Sequence, residues 1–122
     1  MIFEHEKIIE AIIGAAFEVY NTLGYGFLEK VYQKAMQVEL VQKGHLAETE
    51  HAIQVKYKDA IVGEYFADLL VDKKVVVELK IANEYNPKDE PQLLNELKAT
   101  GINVELLINF GKGKVEFKRL VF

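Results

Sequence analysis

At 122 residues, half of them apolar, the chain is of a size to bury one hydrophobic core and is expected to form a single domain, 1–122. The absence of cysteine excludes disulfides, thiolate metal ligands and a thiol nucleophile, and fits a reducing, cytoplasmic setting. A formal net charge of −4 argues against a generic nucleic-acid coat protein, because phosphate binding depends on lysine and arginine releasing counterions.

The first residues carry Glu4, Glu6 and Lys7 ahead of Ile8-Ile9, unlike the basic leader and long apolar core of a signal peptide. No run is long enough to span a bilayer, so no membrane is expected. Ile8, Ile12, Ala15, Ala16, Val19 and Leu23 recur at helical spacing and predict a helix over about 4–22 that stops at Gly24. Ile9, Ile13 and Phe17 widen the stripe, so this helix is expected to be buried on two sides, either inside the domain or at a homodimer contact. A second helix is predicted over about 28–43, with Leu28, Val31, Tyr32 and Ala35 on one face and Gly44 as its stop. Gly24-Tyr25-Gly26 lacks the lysine and hydroxyl residue of a phosphate-binding loop and reads as a tight turn between the helices.

From about 50 to 58 the period switches to two, with Ile53, Val55 and Tyr57 alternating against Gln54 and Lys56, which predicts the first strand. Two more strands follow over about 62–72 and 74–82, then a polar loop at 83–88 containing Pro87. A third helix is predicted over about 90–100, then strands over about 103–109 and 114–120 joined by Gly111-Lys112-Gly113. The order is ααβββαββ, without internal repeats, and the helix between the third and fourth strands permits a parallel crossover. The fold class is therefore α/β (α+β) with a mixed central sheet flanked by helices. Lys112, Lys114, Lys118 and Arg119 read as a solvated edge strand. His5, His45 and His51 show no ligand spacing and read as surface or boundary residues; Tyr57, Tyr65 and Phe66 read as core aromatics.

Within the second and third strands, side chains alternate between faces. Tyr65, Ala67, Leu69 and Val71 form one apolar face of the first run, and Val75, Val77, Leu79 and Ile81 one face of the second. Matching these faces across a loop at 72–74 places Asp68 directly opposite Glu78, with Lys80 one step along. Like charges so placed repel and raise one carboxylate's pKa unless a cation compensates them; a divalent metal can do so, and Lys80 can do part of it. Glu-x-Lys also occurs at Glu96-Leu97-Lys98 and Glu116-Phe117-Lys118. The former lies on a predicted helix, where residues two apart diverge, and the latter has no comparable acidic partner before it.

An acidic residue on one strand, Glu-x-Lys on the next and a following helix bearing Gln92 resemble the PD-(D/E)XK nuclease superfamily. Gly26-Phe27-Leu28-Glu29-Lys30-Val31-Tyr32 is similar to the signature of the GxxExxY proteins within it, as are Gln92-Leu93-Leu94-Asn95 and Leu106-Leu107-Ile108-Asn109-Phe110-Gly111. The resemblance implies a restriction-endonuclease-like core and hydrolysis of phosphodiester bonds in DNA or RNA. It also implies a Mg2+ or Mn2+ ion held by Asp68, Glu78 and the backbone carbonyl of Leu79, with Lys80 orienting the attacking water or steadying the transition state. Glu29 would join the site, although a glutamate in the first turn of a helix is also favoured by the helix dipole. Tyr32 would pack in the core with its hydroxyl near the site. Gln92 would lie near the scissile phosphate, while Asp89-Glu90-Pro91-Gln92 also has the spacing of a capping box. Pro91 and Glu96 depart from the family pattern. Glu96 adds negative charge on a helix that should border the substrate, which favours the alternative of a catalytically inactive, nuclease-fold interaction domain, dimeric through its first helix.

Overall fold

The run from Val104 to Phe110 is buried at all seven positions, the pattern of a strand covered on both faces. The computed structural model describes residues 5–82, 95, 98 and 101–121. Its strands are β1 (Ala47–Tyr57), β2 (Ala60–Val71), β3 (Val75–Lys80), β4 (Val104–Phe110) and β5 (Val115–Val121), preceded by helices α1 (Glu6–Leu23) and α2 (Glu29–Gln42). The described strands make one five-stranded sheet in sequence order. Only β3 and β4 run parallel, in a register from Val75–Val104 to Lys80–Asn109; the other neighbours are antiparallel. That mixed sheet follows from the crossover expected between the third and fourth strands. Of the helix predicted there, Asn95 and Lys98 are helical; the remainder, Gln92, Pro91 and Glu96 included, lies outside the described residues.

Both helices cover the sheet face formed by Leu69, Val71, Val75, Val77, Leu79, Val104, Leu106, Ile108 and Phe110. The wide stripe of α1 is used inside the domain: Ile9, Ile12, Ala15, Ala16 and Val19 are buried, and the half-exposed Phe17 meets the Phe117 ring at 5.4 Å. Arg119 on the edge strand β5 pairs with Glu6 of α1 at 3.1 Å, while Lys112, Lys114 and Lys118 are exposed as expected.

The rotation of α2 differs from the expected stripe. Tyr32, Gln33, Met36 and Leu40 are its buried residues, and Leu28 and Val31 are exposed. Tyr32 decides this: its ring stacks on Phe110 with centroids 4.4 Å apart and planes 6° from parallel, a contact that adds about 0.5–1.5 kcal/mol to the burial itself. Residues one and two turns on, Met36 and Leu40, then face the sheet with it.

Strand alternation also departs from expectation, at Asp68. Leu69 and Val71 face the helices, but Ala67 packs with Ile53, Leu70 and Val76 in a second cluster that includes Ile102. On β1, Glu50 adopts a left-handed backbone with φ 52°, between the pairs Thr49–Leu69 and His51–Ala67. A left-handed residue inside a strand interrupts the pleat, so pairs on its two sides need not share a face. Beyond this break the β1–β2 hairpin extends past the pairing with β3. Tyr57 and Phe66 are accordingly exposed, not core residues; the Tyr65 side chain lies outside the described residues.

Candidate active site

The β2–β3 pairing covers Leu69–Val77, Leu70–Val76 and Val71–Val75, and Asp68 and Glu78 are the next residues of the two strands, just beyond the paired register. That is the register expected from matching apolar faces. At Asp68 the backbone ladder gives way to a side chain: the Leu79 N–H, whose partner in an unbroken ladder would be Ala67, donates instead to Asp68 Oδ2 at 2.8 Å. A carboxylate accepting a backbone N–H is held firmly in one orientation. The strands part where the two carboxylates stand. Glu78 and Lys80 are half-buried, and Glu78 Oε1 is shielded from solvent.

Glu29 reaches the same place from α2. Partial burial raises its carboxyl pKa most, the nearby Asp68 carboxylate raises it further, and the Lys80 ammonium lowers it. Glu29, Asp68 and Lys80 therefore share one electrostatic neighbourhood, although Glu29 itself remains exposed. The entry of the chain into α2 is set by Tyr32, whose hydroxyl donates to the Gly24 carbonyl at 2.5 Å and accepts from the Phe27 N–H at 3.3 Å. Gly24 and Gly26 have φ of 76° and 108°, conformations that favour glycine in this turn. Tyr32 is thus a core residue that positions the loop before Glu29.

Two polar residues not singled out from the sequence also serve this region. Gln33, four residues after Glu29, is buried and donates its amide to the Asp68 carbonyl at 2.8 Å. Asn109 is buried on β4, and its amide both accepts from the Ala82 N–H and donates to the Ala82 carbonyl, each at 2.9 Å. That pair of bonds holds the chain just beyond Lys80. Each is the polar interruption of an otherwise buried stripe, which is the signal by which sequence reasoning could have found it.

Asp68, Glu78 and the Leu79 carbonyl offer hard oxygen donors, the chemistry preferred by Mg2+ and Mn2+. Leu79 is fully engaged in the core through its side chain and in the Asp68 bond through its N–H. Among the described residues, no three His, Cys, Asp or Glu side chains gather closely enough to hold a metal by themselves. Among them, too, no helix is long and apolar enough to cross a membrane.

Residues 6–120 match the model of the PD-(D/E)XK nuclease superfamily. No curated protein matches the sequence. Among solved structures, the fold is similar to that of SSO0001, at 16% identity and a TM-score of 0.57, covering 94% of this chain and 57% of that one. It is similar also to an alkaline exonuclease, LHK-Exo, from Laribacter hongkongensis, at 12% identity and a TM-score of 0.55, covering 98% of this chain and 72% of that one. The chain thus spans little more than half the length of SSO0001.

Proposed function

Because the chain belongs to the PD-(D/E)XK nuclease superfamily, we propose that it hydrolyses phosphodiester bonds of nucleic acid, DNA or RNA, with the help of a Mg2+ or Mn2+ ion. The observation that carries this reading is the opening of the β2–β3 ladder at Asp68, which brings Asp68 against Glu78 with Lys80 and Glu29 beside them. Asp68, Glu78 and the Leu79 carbonyl would hold the ion. When bound, such an ion lowers the pKa of a coordinated water and neutralises charge building on the phosphate. Lys80 orients the attacking water or stabilises the developing charge by its own ammonium. Glu29, which reaches the neighbourhood of Asp68 and Lys80 from α2, would serve there as a proton acceptor. The family resemblance would set Gln92, which lies outside the described residues, near the scissile phosphate. Within the superfamily, Gly26 to Tyr32 supports assignment to the GxxExxY proteins, and the lack of cysteine supports a cytoplasmic setting.

Calorimetric titration with Mn2+ tests the site. Heat is expected from the native protein and not from Asp68→Ala or Glu78→Ala; equal heat in all three, or none in any, sinks the metal reading. Cleavage of single- and double-stranded substrates should fall by about a hundredfold or more in Lys80→Ala while its Mn2+ heat is kept, the scale of losing one preorganised charge-stabilising group. A second reading, a non-catalytic nuclease-fold interaction domain, is favoured by the formal net charge of −4, which opposes binding to phosphate. It expects Mn2+ heat and cleavage to be absent together.

A further inference from the structure

At Asp68 the pairing of β2 lapses on both sides, as it does elsewhere in the strand only at Val62, in the outer part of the β1–β2 hairpin. Towards β3 the paired residues end at Leu69–Val77. Towards β1 the pairing skips from Thr49–Leu69 to His51–Ala67, past the left-handed Glu50. A carboxylate meant to hold its place cannot rest on so weakly supported a backbone, because the side chain moves with the peptide that carries it. Gln33 supplies what the ladder does not. Its buried amide reaches from α2 to the Asp68 carbonyl at 2.8 Å, while the Asp68 carboxylate is held separately by the Leu79 N–H at 2.8 Å.

We infer that Gln33 is a positioning residue: it tethers the Asp68 main chain to α2, so that the Asp68 carboxylate stays on the Leu79 N–H and faces Glu78 and Glu29. This rests on the metal-nuclease reading only for its catalytic meaning. The geometry belongs to the helix as a whole, since Glu29 and Gln33 are one turn apart and project towards the same strand. One tether therefore keeps the helix-borne and strand-borne members of the site in step. A control is built into the same helix. Gln37, a further turn on, donates in the same manner to the Ala47 carbonyl of β1 at 2.9 Å, away from Asp68. Gln33→Met and Gln37→Met each remove one helix-to-strand amide bond while keeping an unbranched side chain of similar size, but only the first frees Asp68.

Residue-resolved amide hydrogen exchange, with Mn2+ calorimetry on the same samples, separates tether from simple packing. In Gln33→Met the Leu79 amide should exchange about tenfold faster, the factor expected for losing about one net hydrogen bond, with the Leu106 amide of β4 unchanged. Gln37→Met should leave Leu79 as it is. The Mn2+ Kd should rise in Gln33→Met by a similar factor and not in Gln37→Met. If Gln33→Met does not fold, Gln33→Asn carries the test: its amide is one methylene too short to reach the Asp68 carbonyl, so Leu79 should lose protection as in the methionine variant. Unchanged Leu79 exchange in Gln33→Met or in Gln33→Asn, or equal acceleration in both methionine variants, overturns the inference. If the native protein takes up no Mn2+ yet Leu79 responds to Gln33 alone, the positioning stands and the metal reading falls.

Discussion

Two aspartates four residues apart, Asp68 and Asp72, use the same device at opposite ends of one hairpin. Each accepts a backbone N–H from a neighbouring segment, Leu79 at 2.8 Å for Asp68 and Leu46 at 2.9 Å for Asp72. They differ in what surrounds the rest of the carboxylate. At the turn, Asp72 Oδ2 also meets His45 Nδ1 at 2.6 Å, and the Asp72 N–H donates to the Leu46 carbonyl at 2.8 Å, so the group closes upon itself. At the open end, Asp68 faces Glu78, with Glu29 and Lys80 in its field. A carboxylate paired with a histidine and a backbone amide is a clasp. One set against two further carboxylates and an ammonium is left with charge to balance, which is the setting we propose for a cation.

Exchanging charge for a neutral amide at each end should break the resemblance between them. Asp68→Asn is expected to lower cleavage by about a hundredfold or more, the scale of losing a transition-state charge contact, with the melting temperature nearly kept. Asp72→Asn should leave cleavage intact and destabilise the fold by about 1–2 kcal/mol, as for a partly exposed charge-assisted hydrogen bond. Thermal unfolding and cleavage measured on both variants decide this. The pH dependence sharpens it. Burial raises the Asp72 pKa, but the hydrogen bonds from His45 and the Leu46 N–H, with the charges of His45 and Lys74, more than reverse this and hold it below the ordinary aspartate value. Stability from a depressed carboxyl is present above its unfolded pKa and is lost as pH falls through its folded pKa. The gap in melting temperature between the native protein and Asp72→Asn should therefore close on acidification.

A buried amide beside the open end offers an intermediate effect. Asn109→Asp keeps the acceptor for the Ala82 N–H but sets an oxygen against the Ala82 carbonyl, where the native amide donates. Leaving such a buried group unsatisfied costs about 1–3 kcal/mol. Because Ala82 is two residues past Lys80, cleavage should fall together with stability, unlike the separate responses of Asp68 and Asp72.

Much of this contrast was legible in the sequence and part of it was not. Parity across 69–81 gave the Asp68–Glu78 register, because Leu69, Val71, Val75, Val77 and Leu79 must all face one core. The same argument failed one residue earlier, at Ala67, because the pleat breaks where Glu50 turns left-handed, and nothing local in Thr49-Glu50-His51 announces that conformation. The helical stripe of α2 was misplaced by part of a turn because the Tyr32–Phe110 stack joins residues 78 positions apart, beyond the reach of periodicity. His45 read as a boundary residue, and it is one; its bond to Asp72 depends on the chain between them folding back. Gln33 interrupts the buried stripe of α2, which marks it as a residue in need of a partner, but only the fold shows that the partner is the Asp68 carbonyl.

The smallest effect tests the open end most delicately. Burial first, and the Asp68 carboxylate second, push the Glu29 pKa above the ordinary glutamate value against the pull of Lys80. A carboxyl whose folded pKa is raised lends stability that is fully present below its unfolded pKa and disappears as pH rises through its folded pKa, so near neutrality the ionised Glu29 works against the fold. Glu29→Gln should consequently stabilise the fold slightly at pH 7, by no more than about 1 kcal/mol once solvent screening is allowed for, read as a small rise in melting temperature that should vanish in acid. Mn2+ provides the discriminating condition. If the carboxylates at this end jointly attract a divalent cation, adding it offsets the repulsion that the substitution relieves, and the advantage of Glu29→Gln should shrink or reverse. At the clasp end the same addition should leave the difference between the native protein and Asp72→Asn untouched, since its carboxylate is already held by His45 and Leu46.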